Sequence, residues 1–441
     1  MQRKCLIVLI ALMIIIVPSI RCPLAVAQKD DDHPWPMVGG DIGNTGRSKI
    51  DTSHITGEEL WNLPIFGGLF ADTSPVIDGE GNLYFSVGHL IISLDRHGER
   101  RWNYTDRVGE LTAPALGSDG RLYVGGRNSN RLYAVDKESG EQIWYFDTVG
   151  GVTNPPVVAN ERIYFASYDR DNRLPRIYAI DEDGNQIWMF DGLENRVNSR
   201  VAVGKNGWIY FGSLDKNVYA LNHNGLLEWS YYTFGQVLSS PAVGDDDVIY
   251  VGAIDGLIAL DAYDGGLRWY FPDQEHEEYG EAQVAIWGSP AIGIDGTIFF
   301  GCTYTEDFMI GRIYAMRPSG RVRWHMDTEH QLMSSTPVIG RDGTVYMGTL
   351  DDRKVYAFNP EGSIKWYGNI SRGIDSSPAI GPDGTVYFVT VGDLPVVYAF
   401  GGEYIPTDEH TLQRWWIYVG ILSVLSVSIA YLYFHKKFKD R

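Results

Sequence analysis

Residues 113–144 read APALGSDGRLYVGGRNSNRLYAVDKESGEQIW, and this unit decides the fold. It opens with a proline-headed apolar segment and passes through an Asp-Gly turn into an aromatic segment. A third segment, YAVD at 133–136, leads to Gly140 and, four residues later, to Trp144. Because Asp-Gly between alternating apolar residues indicates a β-hairpin, the unit predicts four short antiparallel strands.

The same unit recurs along most of the chain. Eight tryptophans each follow a glycine by four residues, in the pairs Gly57 and Trp61, Gly98 and Trp102, Gly140 and Trp144, Gly184 and Trp188, Gly225 and Trp229, Gly265 and Trp269, Gly320 and Trp324, Gly362 and Trp366. Proline-headed first strands stand at positions 75, 114, 156, 241, 290, 337 and 378, with Arg200 in place of the proline in the fourth unit. A period of roughly 40 residues built from short strands is typical of a β-propeller.

The two ends of the repeat region complement each other. The eighth unit ends at residues 398–400 without a tryptophan, whereas Gly57 to Trp61 is a tryptophan strand with no unit before it. Pairing the two closes the ring and leaves no sheet edge open. The sequence therefore predicts an all-β, eight-bladed β-propeller at 52–402 with an N-terminal closing strand, preceded by a lead segment at 28–51.

The first 27 residues have the pattern of a secretory signal. Arg3 and Lys4 precede an apolar run at 6–17, and an A-x-A cleavage motif occupies 25–27. We expect the mature protein to begin near Gln28; the alternative is an uncleaved signal anchor.

A second apolar run, residues 415–434, is long enough to cross a bilayer as a helix. Trp415 and Trp416 fit an interfacial belt, and a basic tail at 435–441 favours a cytoplasmic C-terminus. These patterns predict a single-pass cell-membrane protein with its propeller on the extracytoplasmic side, joined by a linker at 403–414. The alternative is a buried core helix.

The charge of the chain limits its partners. The formal net charge is −19, and removing the basic signal and the basic C-terminal end leaves about −26 for the propeller region. Such a surface repels nucleic acid and favours solubility, cations or basic partners. Of three cysteines, only Cys302 lies outside the signal region, so no internal disulfide is expected.

Two blades carry a fuller motif, A-x-D-x3-G-x3-W. It occurs at Ala134, Asp136, Gly140 and Trp144, and again from Ala259 to Trp269. The motif resembles the tryptophan-docking repeat of the pyrroloquinoline-quinone family of β-propellers. The resemblance implies that the eight tryptophans are packing residues at the outer strand of each blade.

That family includes two kinds of protein. One kind is the quinoprotein dehydrogenases. If this chain were one of them, the resemblance would imply pyrroloquinoline quinone above the channel, a Ca²⁺ or lanthanide ion, an aspartate base and a vicinal disulfide. This chain has no Cys-Cys pair and is shorter. It is more similar to the non-enzymatic exported members, which bind partner polypeptides. We therefore predict no cofactor, with pyrroloquinoline quinone and Ca²⁺ kept as the alternative.

The candidate binding surface lies where the loops depart from a constant length. The connection from Trp269 to Pro290 is the longest of its class, and the second-to-third-strand loop of blade six is also long. The candidates are Glu275, His276, Glu277, Glu278, Glu281, Trp287, Glu306 and Asp307. Carboxylates on this face can attract a divalent cation or a basic peptide, although a solvated acidic loop has the same composition. No metal is predicted, because His276 has no second histidine or cysteine at ligand spacing.

A second candidate set surrounds the channel mouth, where small polar residues precede the first strands. The set comprises Asp72, Thr112, Asn154, Asn198, Ser239, Ser334 and Ser376. Such groups can hold ordered water or a polar ligand.

The sequence thus predicts a monomeric, membrane-anchored propeller that binds protein or glycan as a scaffold, without catalytic residues. Two alternatives stay open: an atypical quinone-dependent dehydrogenase, and a sugar-processing enzyme that uses paired carboxylates.

Overall fold

The computed structural model describes residues 33–66, 74–106, 109–272, 284–304, 311–328 and 335–402. Their secondary structure consists of strands and turns, without helices. Within these ranges no helix is long and apolar enough to cross a membrane. The predicted signal peptide, membrane helix and basic tail lie outside the described residues.

Eight antiparallel sheets form the eight predicted blades, each with its first strand innermost. Strand β1 (Glu58–Pro64) belongs to the last blade. Blades one to four contain β2 (Val76–Ile77), β3 (Leu83–Val87), β4 (Leu90–Leu94) and β5 (Arg100–Thr105); β6 (Ala115–Leu116), β7 (Arg121–Gly126), β8 (Arg131–Asp136) and β9 (Gln142–Asp147); β10 (Gly151–Val152), β11 (Val157–Ala159), β12 (Arg162–Asp169), β13 (Leu174–Asp181) and β14 (Gln186–Phe190); β15 (Ala202–Val203), β16 (Ile209–Gly212), β17 (Asn217–Leu221) and β18 (Leu227–Tyr232). Blades five to eight contain β19 (Ala242–Val243), β20 (Val248–Ala253), β21 (Gly256–Asp261) and β22 (Leu267–Phe271); β23 (Val284–Ala285), β24 (Ala291–Ile292), β25 (Ile298–Tyr304), β26 (Gly311–Met316) and β27 (Val322–Thr328); β28 (Val338–Ile339), β29 (Val345–Gly348), β30 (Lys354–Phe358) and β31 (Ile364–Asn369); β32 (Ala379–Ile380), β33 (Val386–Val389) and β34 (Val396–Gly401).

The antiparallel order gives the ring two faces. Turns between first and second strands, and between third and fourth strands, lie on what we call the turn face. The second-to-third-strand hairpins and the connections between blades lie on the other, which we call the loop face.

The ring closes as predicted, through pairing of distant parts of the chain. Strand β1 lies antiparallel to β34, with Glu58 opposite Gly401 and Pro64 opposite Val396. The sheet order β1-β34-β33-β32 gives blade eight its fourth strand. The outer edge of β34 is therefore paired, and blade eight has its fourth strand.

The Asp-Gly turns are held by their own side chains. In blade two, Asp119 accepts hydrogen bonds from the Arg121 N–H (3.1 Å) and the Tyr123 hydroxyl (2.6 Å). Gly120 has a φ of +83°, a conformation that favours glycine. Asp246 and Tyr250 repeat the aspartate–tyrosine bond in blade five at 2.9 Å. In these two blades the turn aspartate therefore also anchors a core tyrosine, although in blade five Asp247 stands where blade two has Gly120.

The tryptophans join each blade to the next. In blade three, Trp188 lies against Gly225 of blade four, where an added Cβ would come within 2.5 Å of the indole. The Trp188 Nε1–H donates to the His223 carbonyl at 3.0 Å, and its ring lies 5.9 Å from that of Tyr164. Equivalent indole–glycine contacts are Trp61 on Gly98, Trp102 on Gly140, Trp144 on Gly184, Trp229 on Gly265, Trp269 on Gly320, Trp324 on Gly362 and Trp366 on Gly57. The contacts run around the whole ring.

The buried core lies between neighbouring blades. At the boundary of blades two and three, Phe165 stacks on Tyr178 with centroids 5.2 Å apart, and Phe146 packs edge-on against both. Ile163 and Leu132 are fully buried in the same cluster. Apolar faces of successive blades therefore stabilise the ring by burying each other.

In blade four, the innermost strand begins one residue later than the sequence predicted. The innermost strand β15 begins at Ala202, as β19 begins at Ala242 directly after Pro241. Val201, and not Arg200, therefore stands at the proline position. The connection into this blade is one residue longer than the spacing predicted.

Candidate binding surface

The turn face of the channel is crossed by residues 35–50, which we call the strap. Its backbone bonds to the last residue of the innermost strand in six blades. These contacts join Trp35 to Ile77, Pro36 to Leu116, Ile42 to Val203, Gly43 to Val243, Thr45 to Ile292 and Gly46 to Ile339. The strap covers this end of the channel, so a channel ligand must approach from the loop face.

Asn44 fixes the centre of the strap. It is fully buried, with a φ of +53°. Its Nδ2 donates to the carbonyl oxygens of Val201 (3.1 Å) and Pro241 (3.2 Å), in blades four and five. A side chain with two donors is required here, and asparagine also tolerates this backbone conformation.

A ring of small polar groups precedes the innermost strands. Each hydroxyl accepts a hydrogen bond from the backbone N–H of the residue at the equivalent position in the preceding blade. The bonds are Arg200 N–H to Ser240 (2.9 Å), Ser240 N–H to Ser289 (3.0 Å), Ser289 N–H to Thr336 (3.3 Å) and Ser377 N–H to Ser74 (2.9 Å). Arg200 occupies the ring position in blade four, which gives the ring a guanidinium group.

The structure buries several residues that the sequence placed at the channel mouth. Thr112, Ser239 and Asn154 accept hydrogen bonds from N–H groups of the second strand of their own blade, at 2.8–3.0 Å. Ser376 donates to the Val389 carbonyl at 2.8 Å. These polar atoms hold the inner strands together through hydrogen bonds within their own blades.

The other three channel-mouth predictions have different outcomes. Asn198 is partly buried, and its neighbour Ser199 makes the bond that Ser239 makes in blade five, with the Gly212 N–H at 2.8 Å. The displacement follows from the longer connection into blade four. Asp72 and Ser334 lie outside the described residues.

The loop face carries exposed apolar side chains. Phe234 is 79% exposed and Tyr232 is 58% exposed, with their rings edge-on at 6.2 Å. Trp287 is 37% exposed, and Phe66 is also exposed. Exposed aromatic side chains that cluster on loops are typical of surfaces that contact another molecule.

Two of these aromatic loops lie beside the hairpin that carries Asp255. Asp255 lies in the hairpin between β20 and β21, and an added Cβ on Gly235 would come within 2.8 Å of its Oδ1. The Ile286 N–H donates to the Ala253 carbonyl at 3.1 Å, which places Trp287 beside the same hairpin. The Asp255 hairpin is therefore adjacent to both aromatic loops, and we call Tyr232, Phe234, Asp255 and Trp287 the blade-five cluster.

The Asp255 carboxylate is poorly stabilised. Both of its oxygens are buried and accept no hydrogen bond. Burial raises the pKa of Asp255, although the N–H groups of Phe234 and Gly235 face it and partly offset the effect. Burial and the Asp255 charge raise the pKa of Tyr270 to about 12, and its hydroxyl donates to the Asp255 carbonyl oxygen. The charge of Lys216 also lowers this pKa, and a cationic group of a partner would add a second counter-charge.

The predicted acidic candidates are mostly outside the described residues. These are Glu275, His276, Glu277, Glu278, Glu281, Glu306 and Asp307. Trp287 is described, and it lies on the loop face as a member of the blade-five cluster.

Sequence reasoning missed Phe234 and Asp255. Residues 231–235 read YYTFG. Three aromatic residues at the end of a docking-tryptophan strand are more than the packing of that strand requires. That run was an available signal for Phe234. Asp255 sits in a hairpin with no unusual length, and only the fold brings it to Phe234.

Among the described residues, no group of three or more His, Cys, Asp or Glu side chains is arranged to hold a metal ion. Cys302 is buried, and burial raises the pKa of its thiol well above the ordinary value. The described tryptophans of the docking set lie at the outer strands, where they contact glycines of the next blade.

A family model described as "Outer membrane protein assembly factor BamB" matches residues 89–192, 173–390 and 309–432. These overlapping matches cover well over half of the chain. The chain belongs to this PQQ-like repeat family. The predicted resemblance to quinone-type repeat propellers is thereby confirmed.

Family relatives include both enzymes and assembly factors. The quinohemoprotein alcohol dehydrogenase of Comamonas testosteroni is 22% identical over 327 residues, which cover 61% of this chain and 44% of that protein. This chain thus aligns with less than half the length of that relative.

Solved structures share the fold. A europium-containing methanol dehydrogenase superposes with a TM-score of 0.67 at 14% identity, covering 84% of this chain and 98% of that one. BamB from Moraxella catarrhalis superposes with a TM-score of 0.59 at 16% identity, covering 79% and 98%. At these identities the likeness shows the fold alone.

Proposed function

We propose that this protein is a membrane-anchored, extracytoplasmic scaffold that binds a polypeptide partner through its loop face, without catalysis of its own. The partner segment carries a basic residue next to apolar side chains. The observation that carries the proposal is the blade-five cluster, in which exposed aromatic residues lie on loops beside a carboxylate that faces backbone N–H groups but makes no hydrogen bond of good geometry.

The chemistry of the cluster favours such a segment. A lysine or arginine that reaches Asp255 would form a charge-assisted hydrogen bond to a carboxylate whose nearby N–H groups make no hydrogen bond of good geometry with it. Phe234, Tyr232 and Trp287 offer rings for the neighbouring apolar side chains and for the stem of the basic residue. The strap leaves the loop face as the open approach to the ring, which also supports binding on this side.

The membrane anchor rests on the sequence. The apolar run at 415–434 with its aromatic and basic flanks supports a spanning helix, and the N-terminal pattern supports export. The family resemblance to assembly factors supports a scaffold in that compartment, as a proposal by analogy.

Site-specific photo-crosslinking in intact cells tests the scaffold proposal. A benzophenone amino acid at position 234 or 287 should give a discrete crosslinked species, since both side chains lie on the proposed contact surface. Tyr263 is the matched control, because it is an exposed aromatic of the turn face in the same blade. Equal crosslinking from position 263 would contradict a loop-face partner.

The second candidate is a quinone-dependent dehydrogenase, which the relationship to the Comamonas enzyme favours. The test is a titration of the purified protein with pyrroloquinoline quinone and Ca²⁺, followed by tryptophan quenching and calorimetry. The scaffold proposal predicts no saturable binding. One-to-one binding at micromolar or better affinity would overturn it and direct assays to alcohol oxidation.

A further inference from the structure

The turn face carries an uneven charge. At the turn-face ends of blades six and seven, counting the turns and the first residues of β27 and β31, five basic residues stand against three acidic ones. Two of these are paired, Arg323 with Asp295 at 2.6 Å and Lys365 with Asp342 at 3.5 Å, which leaves an excess of two positive charges. The basic residues are Arg317, Arg321, Arg323, Arg341 and Lys365, and the acidic residues are Asp295, Asp342 and Glu361. We call this area the basic sector. It is exceptional because the propeller region as a whole is strongly acidic.

A cleft of about 640 Å³ opens beside this sector, between the strap and the turns of blades five to seven. Arg47, Lys49 and Arg341 line it together with Ile294, which is 75% exposed. Two carboxylates, Asp41 and Asp245, also face it.

Those two carboxylates are already engaged within the protein. Asp245 is shared between Arg47 (3.0 Å) and Lys205 (3.1 Å), so the three groups together keep a positive charge. Asp41 accepts hydrogen bonds from the backbone N–H and the hydroxyl of Thr45, and burial raises its pKa. The cleft therefore has a net positive rim with an apolar side chain at its edge.

The chain leaves the described structure on this same face. Strand β34 runs toward the turn face and ends at Gly401, and Gly402 lies against the backbone of His54. The 12 residues 403–414 can span about 40 Å when extended, and about 20 Å on average as a flexible coil. If residues 415–434 span the membrane, as the proposed function requires, the turn face lies close to the bilayer.

We propose that the basic sector and its cleft dock on the anionic phospholipid headgroups of the membrane that holds the chain. Phosphate groups face Arg47, Lys49 and Arg341, and Ile294 enters the interfacial layer. The acidic remainder of the propeller is repelled by the same surface, so the two effects together orient the molecule. The loop face then points away from the bilayer, toward soluble partners.

The test uses the full chain in lipid nanodiscs of phosphatidylglycerol or phosphatidylcholine. A fluorophore on Ile294→Cys reports the turn face, and one on Phe234→Cys reports the loop face. Native Cys302 need not be removed, because burial keeps its thiol protonated and inaccessible, whereas Cys5 and Cys22 are changed to serine. Quenching by a headgroup-labelled lipid measures proximity to the surface.

We expect strong quenching at position 294 in phosphatidylglycerol, loss of that quenching in phosphatidylcholine or high salt, and none at position 234. Arg321→Glu with Arg341→Glu should lower the docking constant by more than tenfold, since each basic residue near an anionic surface contributes roughly a fivefold effect. The matched control is Arg131→Glu, which lies on β8 of blade two.

Other outcomes separate the possible failures. If the protein does not enter nanodiscs, the membrane anchor of the proposed function is wrong. If it enters but positions 294 and 234 are quenched equally, the docking inference is wrong while the anchor stands. If inorganic phosphate abolishes quenching when chloride of equal ionic strength does not, the cleft binds free phosphate and not the lipid surface.

Discussion

Replacing Gly225 by alanine should destabilise the propeller more than the same change at Gly207. Both glycines lie in turns of blade four on the turn face, with φ values of +77° and +74°. A Cβ at Gly207 would meet nothing within 4 Å, whereas at Gly225 it would come within 2.5 Å of the Trp188 ring. The two substitutions therefore share the backbone strain and differ in the indole contact.

The expected magnitudes follow from those two contributions. Alanine in a left-handed conformation costs about 1–2 kcal/mol, and reduced freedom of the unfolded chain returns about 0.4–1 kcal/mol. Gly207→Ala should therefore cost about 1 kcal/mol. Gly225→Ala should add about 1–3 kcal/mol, because the indole is held between blades by its own hydrogen bond and must shift.

Urea unfolding of the purified protein, followed by tryptophan fluorescence and circular dichroism, measures both costs if the slope stays unchanged. Adding Trp188→Phe to each variant identifies the cause. The smaller ring should relieve part of the Gly225→Ala cost and none of the Gly207→Ala cost. Equal destabilisation by the two alanines, or strict additivity with Trp188→Phe, would refute the indole–glycine reasoning.

Three further predictions concern single side chains. Trp366→Phe should lower the free energy of unfolding by about 1 kcal/mol less than Trp324→Phe, as measured by urea unfolding. The Trp324 Nε1–H donates to a carbonyl at 2.8 Å, whereas the Trp366 Nε1–H is buried without an acceptor. Equal costs would contradict this reasoning. Asp255→Asn should raise the free energy of unfolding at pH 7, because it removes a charge that burial disfavours. The wild type loses stability as pH rises from the unfolded pKa near 3.8 through the raised folded value, so the gain should vanish in acid; a gain that persists below pH 3.8 would refute it. Asn44→Gly keeps the backbone conformation but removes two hydrogen bonds, so hydrogen exchange at the Val243 amide should accelerate; unchanged exchange would show that the strap does not depend on Asn44.

The architecture could be predicted because its signal is a direct contact. The four-residue spacing of Gly225 and Trp229 places one blade's glycine in the turn and its indole on the outer strand, ready for the next blade. A missing tryptophan at one end and an extra one at the other likewise indicated the pairing of β1 with β34. Local patterns that repeat at each blade boundary thus specify both blade number and closure.

The candidate site was less predictable, because it depends on proximity between loops. Nothing in the sequence near Asp255 indicates that Phe234 and Trp287 approach it from two other connections. Asn198 was chosen by counting from Arg200, and the count is displaced by one residue because the connection into blade four is longer. Thr112 was expected at an open channel mouth, but hydroxyls at that position satisfy buried N–H groups.

The pairing of β1 with β34 has a consequence for the order of folding. Strand β1 is synthesised roughly 330 residues before its partner, an interval of about 15–70 s at ordinary rates of chain elongation. During that time its backbone groups have no native partner, and the strap cannot yet contact blades four to seven. The nascent chain must therefore keep an early strand from pairing wrongly until its final blade appears, so we expect a holding factor or slow, late closure to govern its maturation.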